Sequence, residues 1–147
     1  MPRRSRKARV QDVHDVAQAM PHVTNGSSWD RPVYQVGGKS FIFFRGERPD
    51  AVDPETGRRL KDVIVFWVAD DVTKDALVQD PTTPYFTTPH FRGHLSVLLQ
   101  AGRIGELTRD EVAELVQDAW LCRASRTRAK EWLASLDGSD PRFVPPA

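Results

Sequence analysis

The chain has 147 residues, 28% of them charged and 39% hydrophobic, with one cysteine and a formal net charge of +1. That is enough for one domain burying roughly two-thirds of its unfolded surface, and too little for two. The composition excludes the fibrous and wholly disordered classes, and Cys122 alone excludes an internal disulfide or a multi-cysteine metal site. The longest apolar run, Val63 to Ala69, falls far short of the ~20 residues that span a bilayer, so no membrane segment is expected.

The charge is unevenly placed. Arg3, Arg4, Arg6, Lys7 and Arg9 give residues 1 to 9 a charge of +5, and Arg123, Arg126, Arg128 and Lys130 against Glu131 give residues 121 to 132 a charge of +3, which leaves −7 on the remainder. A polyanion would therefore meet the ends of the chain rather than its middle. Arg3 and Arg4 are not followed by an apolar stretch, so no export leader is expected, and the lone cysteine suits the reducing cytoplasm.

In chain order, Val10, Val13, Val16, Ala17 and Met20 recur at helical spacing and predict a helix over 10–20, stopped by Pro21. Thr24-Asn25-Gly26-Ser27-Ser28 are turn formers and predict a loop leading to Trp29. Residues 33–36 and 40–45 read as strands of a hairpin, because Gly37-Gly38 supplies the positive φ that a two-residue turn requires. Residues 46–61, broken by Pro49, Pro54 and Gly57, read as an exposed loop; Glu47, Asp50, Asp53 and Glu55 lack the spacing of a calcium loop.

Val63 to Val68 is continuously apolar and β-branched, the pattern of a strand covered on both faces at the sheet centre. A short helix is predicted from Thr73 to Gln79, ended by Asp80-Pro81. Strands follow at Tyr85–Thr88 and Leu95–Gln100, making five. Thr108 and Glu111 form a capping box, and Val112, Leu115, Val116, Ala119 and Trp120 continue as the buried stripe of a helix. Trp132, Leu133 and Leu136 resume the period, Gly138 is a plausible stop, and residues 138–147 form a Pro-rich tail. The domain is thus expected over 10–137, after a basic tail at 1–9.

Groups able to carry catalysis are scarce. His90 and His94 are four apart, but Pro89 and Gly93 argue against the helix that would align them on a metal. Ser27, Ser28 and Ser96 lack a nucleophile-elbow context. Of the aromatic residues, Trp67 and Trp120 fit the core, while Trp29 and Phe91 lie in loops and are expected to close over it. No cofactor is expected.

The segments "PHVTNGSSWDRPVYQVGGKSFIFF", "DPTTPYFTTPHFRGHLSVLL" and "ELTRDEVAELVQDAWLCRAS" together resemble the MmcQ/YjbR family over roughly residues 10–136. The most specific pieces are Gly37-Gly38-Lys39 with Phe41, Phe86 to His90 with Gly93, and Asp118-Ala119-Trp120. The resemblance implies an α/β (α+β) fold akin to the YjbR/CyaY-like, frataxin-like proteins: an antiparallel sheet of about five strands with helices packed on one face. It also implies the DNA-binding label its members carry. Frataxin-like iron binding is not implied, since the first helix has only Asp12 and Asp15 as acids.

The leading expectation is a non-enzymatic nucleic-acid-binding domain, with a monomer favoured. Arg3, Arg4, Arg6, Lys7 and Arg9 would neutralise phosphates as an arm, and Arg123, Arg126 and Lys130 would do so from a helix, sharing one face with Arg128 pointing away if the helix continues past Trp120. The rival is a small-molecule or protein-binding module with a pocket near Trp29, Arg31, Lys39, Thr88 and His90. An enzyme ranks third.

Overall fold

The computed structural model describes residues 6–28, 31–45, 62–88, 91 and 93–145. Helix α1 (Val10–Ala19) leads into strands β1 (Val23–Ser28), β2 (Arg31–Val36), β3 (Lys39–Arg45) and β4 (Val63–Trp67). Helix α2 (Asp71–Gln79), strand β5 (Ser96–Gln100), a 3₁₀ turn at Ala101–Glu106, and helices α3 (Arg109–Arg123) and α4 (Arg126–Ser135) follow. The strands form one antiparallel sheet in the order β1-β2-β3-β4-β5. This is the expected α+β class.

Alternation sorts the sheet into two faces. Tyr34, Ile42, Ile64, Phe66, Val97 and Leu99 point to one face, where α1 and α3 supply Val13, Ala17, Val112, Val116 and Trp120. Val63, Val65 and Leu98 point to the other, where Phe91 and the half-buried Phe43 and Phe86 cover them. Phe91, 4% exposed, thus closes over the core as expected of it. Trp120 is wholly buried and its Nε1 donates to the Pro21 carbonyl at 3.0 Å, tying α3 to the end of α1.

Four expectations need correction. The turn formers at 24–28 are a strand: β1 pairs with β2 rung by rung from Val23↔Val36 to Ser28↔Arg31, so ladder pairing overrides local preference. Tyr85–Thr88 is not a strand, and contributes only a single bridge, Phe86↔Leu98. β4 is covered on both faces, but β3 is the middle strand. Finally, the basic segment is not one helix. α3 ends at Arg123, and Ser125 caps a new helix by accepting from the Arg128 amide at 3.2 Å. The loop expected at 46–61 lies outside the described residues, save for its neighbours Arg45 and Asp62.

Candidate functional site

The amino-terminal basic residues are drawn against the start of α3. Ala8 donates to the Leu107 carbonyl, Arg109 donates to the Arg6 carbonyl, and Lys7 bridges Thr108. Arg6 is not a free phosphate ligand. Its guanidinium grips buried Asp12 through two bonds, of 2.5 and 2.9 Å, and the Arg9 amide adds a third at 2.7 Å. Chiefly through the Arg6 bond, the Asp12 carboxyl is held down to about 2. Lys7 and Arg9 remain exposed, and Arg3 and Arg4 lie outside the described residues.

The carboxy-terminal cluster sits at the other end of α3, a helix of 15 residues and so about 22 Å long. Between the two ends Asp110, Glu114 and Asp118 line its exposed side at four-residue steps. The two basic ends are therefore separate sites divided by an acidic stripe.

At the carboxy-terminal end, the break between α3 and α4 redirects the arginines. Arg123 donates from Nε to the Ser40 carbonyl at 3.0 Å and lies 3.9 Å from the centre of the Trp67 ring. Arg126 and Lys130 share one side of α4, four residues apart, and both are exposed. Arg128, two residues from each of them, projects from the other side of α4, and its Nη1 lies 3.3 Å from the position a Cβ on Gly37 would take. Gly37 and Gly38 both have positive φ, 59° and 79°, as a tight hairpin turn requires. The contact brings α4 against the tip of the β2–β3 hairpin, beside exposed Lys39. Lys39 and Arg128 thus meet at the hairpin tip, while Arg126 and Lys130 project from the other side of α4; among the described residues none of the four is in an ion pair.

The rival pocket is not assembled in the same way. Arg31 starts β2 opposite Ser28, and Lys39 starts β3 opposite Val36, so the two lie at opposite ends of the ladder, about 17 Å apart. Arg31 pairs with Asp62 at 2.9 Å and borders an open groove of about 490 Å³ with Gln18, Asn25 and Tyr34. Thr88 is buried, far along the sheet from Arg31, and Trp29 and His90 lie outside the described residues.

Sequence reasoning missed the cluster beside Lys39. His94 lies 4.5 Å from Trp67, 5.4 Å from Phe91 and 6.4 Å from Phe43, measured between ring centres, and its Nδ1 is 2.7 Å from Ser96 Oγ. Buried Lys74 donates from Nζ to the carbonyls of Phe91 at 2.8 Å and His94 at 2.5 Å, and burial pulls its pKa down. Trp67 Nε1, Thr87 Oγ1 and Thr88 Oγ1 are buried without a hydrogen-bond partner. The signal that could have found the cluster was the mixture of Thr, His and Gly next to an apolar strand. Gly37-Gly38-Lys39, Phe91 with His94, and the end of α3 all arrive at this end of the sheet.

A family profile described as YjbR matches residues 18–122. The chain belongs to the YjbR family. Uncharacterised proteins of Mycobacterium bovis and Mycobacterium tuberculosis are similar to it, at 30% identity over 108 residues, 74% of this chain and 74% of each relative. No solved structure matches. The match to the YjbR profile includes Lys39, Trp67, Lys74 and Thr88 but stops before Arg123, so the basic residues at 3–9 and 123–130 lie outside it. No helix among the described residues is long and apolar enough to cross a membrane, and among them no group of three or more His, Cys, Asp or Glu side chains could hold a metal ion.

Proposed function

We propose that this YjbR protein binds nucleic acid, or a polyanion of like charge density, without catalysing a reaction on it, and does so with little base selectivity. The observation that carries the reading is the seating of Arg128 against Gly37, which sets Arg128 beside Lys39 at the hairpin tip, while exposed Arg126 and Lys130 carry positive charge on the other side of α4. A tip made of two glycines lets the backbone approach a phosphate closely. The amino-terminal arm is secondary, because Arg6 is spent on Asp12.

A fluorescent duplex and a fluorescent single strand test the reading. Binding at low salt should weaken steeply as salt rises, because phosphate neutralisation releases counterions. Failure of both probes at low salt, or affinity indifferent to salt, refutes it. The groove beside Arg31 is the observation that favours a small-molecule role instead. In that case alanine at Lys39, Arg126 and Lys130 would leave ligand-induced thermal stabilisation unchanged.

A further inference from the structure

The two edges of the sheet differ. Beyond β5, Phe86 closes part of the outer edge: its amide donates to the Leu98 carbonyl at 3.0 Å, and its carbonyl accepts from the Leu98 amide at 2.9 Å. β1 is the other edge strand. Among the described residues no backbone bond reaches its outer side, and Thr24, Asn25 and Gly26 are exposed. An open edge is a template for another strand, and proteins commonly blunt it with lysine, proline or a bulge. Val23 to Ser28 has neither charge nor proline, and its ladder with β2 runs without a register shift. Six residues of edge are thus left unguarded.

The chemistry of this edge fits a second copy of itself. Like charges opposite one another across an antiparallel pair repel; β1 has none to repel its copy, and none to attract a charged peptide. Geometry narrows the pairing. A twofold axis relating two antiparallel edge strands stands perpendicular to the sheet, so both helix layers lie on the same side. Level residues share a face, so each helix-face residue must meet a helix-face residue of the copy. Asn25 is level with Tyr34 across β1 and β2, and the Tyr34 hydroxyl is hydrogen-bonded to His14 Nδ1 of α1 at 2.5 Å, so Asn25 belongs to the helix face. A register centred on Asn25 sets it opposite Asn25 of the copy, and Thr24 opposite Gly26. A carboxamide has both donors and an acceptor, so it can bond its own symmetry mate. Gln18 and Asn25 line an open groove on this face, and the exposed side of α1 adds one charge per copy, Asp15.

We infer that two copies of this chain pair antiparallel through β1, joining two five-stranded sheets into one continuous sheet, in place of the monomer that the sequence favoured. The interface uses the same edge of both copies, with Asn25 on the axis. Gly37-Gly38 lies at the Val23 end of β1, since Val36 pairs with Val23 and with Lys39. Because the paired β1 strands run in opposite directions, the two hairpin tips leave opposite ends of the joined sheet and stay open. The pairing is carried by different residues from the polyanion surface and does not depend on it.

Sedimentation of the full chain without nucleic acid, over concentrations up to about 1 mM, tests the inference. The weight-average mass should rise from that of one chain toward that of two. Asn25→Lys and Asn25→Asp each set like charges opposite one another on the axis, and each alone should weaken the association at least about tenfold. An equimolar mixture of the two variants should associate again, because opposite charges then meet. Asn25 is exposed, and recovery in the mixture excludes unfolding as the cause of the loss. A parent chain that stays monomeric throughout would overturn the inference and leave the edge to an extended segment of another protein. So would a dimer indifferent to both substitutions. Arg126→Ala with Lys130→Ala should leave the association unchanged, so failure here and failure of the polyanion reading are separate results.

Discussion

The guanidinium of Arg128 lies 3.3 Å from where a side chain on Gly37 would begin. Gly38, its neighbour in the turn, has open space at the same position, although both residues share a positive φ. Alanine at either glycine meets the backbone penalty of the left-handed region, about 1–2 kcal/mol. Gly37→Ala must also push Arg128 aside. The expected outcome in denaturant unfolding is a larger loss for Gly37→Ala than for Gly38→Ala, with the excess abolished in an Arg128→Ala background. An equal loss in both would mean that α4 is not seated on the turn.

Removing charge should affect polyanion binding without affecting the fold. Arg126 and Lys130 are exposed and unpaired among the described residues, so alanine at either should change stability by less than about 0.5 kcal/mol. Each should weaken duplex binding uniformly across sequences and reduce the slope of log affinity against log salt by about one. Arg6→Ala should alter that slope little, and should destabilise the fold instead, because it strands buried Asp12. Fluorescence anisotropy at several salt concentrations separates the two classes.

Ser125 tests the same surface without a change of charge. Its side chain accepts from the Arg128 amide at the start of α4, and losing such a cap costs about 1 kcal/mol. Ser125→Ala is expected to lower stability by that amount and to loosen the duplex complex, while Ser125→Asp restores the fold. A cap variant that binds DNA as tightly as the parent would show that the order of α4 is irrelevant to binding.

The Arg6–Asp12 pair sets an acid limit on stability. Asp12 titrates at about 2 in the folded protein, against 3.8 in its absence. A carboxyl with a depressed folded value contributes stability above its unfolded value and loses it as pH falls through the folded one. The contribution is therefore complete at pH 5 and fades between about pH 4 and pH 2. With Arg6 half-exposed, solvent screening limits it to about 1–2 kcal/mol. Asp12→Asn should cost that much in urea unfolding at pH 7 and lose most of its effect near pH 2. An effect independent of pH would assign the loss to packing.

Local chemistry made much of the fold legible. Gly37-Gly38 marked the hairpin, the apolar run from Val63 marked a doubly covered strand, and Thr108 with Glu111 marked the start of α3, since each signal acts within a few residues. β1 was hidden because Val23-Thr24-Asn25-Gly26-Ser27-Ser28 prefer turns, and only the ladder with β2 makes them extended. The break at Ala124-Ser125 was hidden because the charge period runs straight through it, and that reading set Arg123 in line with Arg126 and Lys130, from which the end of α3 separates it. The site was less legible than the fold. Lys39 and Arg128 belonged to different sequence readings, and nothing local could reveal that Val23 to Ser28 forms an outer edge of the sheet.

The bond from Trp120 to Pro21 joins residues 99 positions apart. During synthesis α1 and the first three strands leave the ribosome well before α3, which must cover the same face of the sheet and supply that indole. Until residue 120 has emerged, Ile42, Ile64 and Phe66 lack the part of their cover that α3 supplies, so the nascent domain stays adhesive until then. A message cut short before that codon would yield an exposed apolar sheet rather than a smaller stable protein.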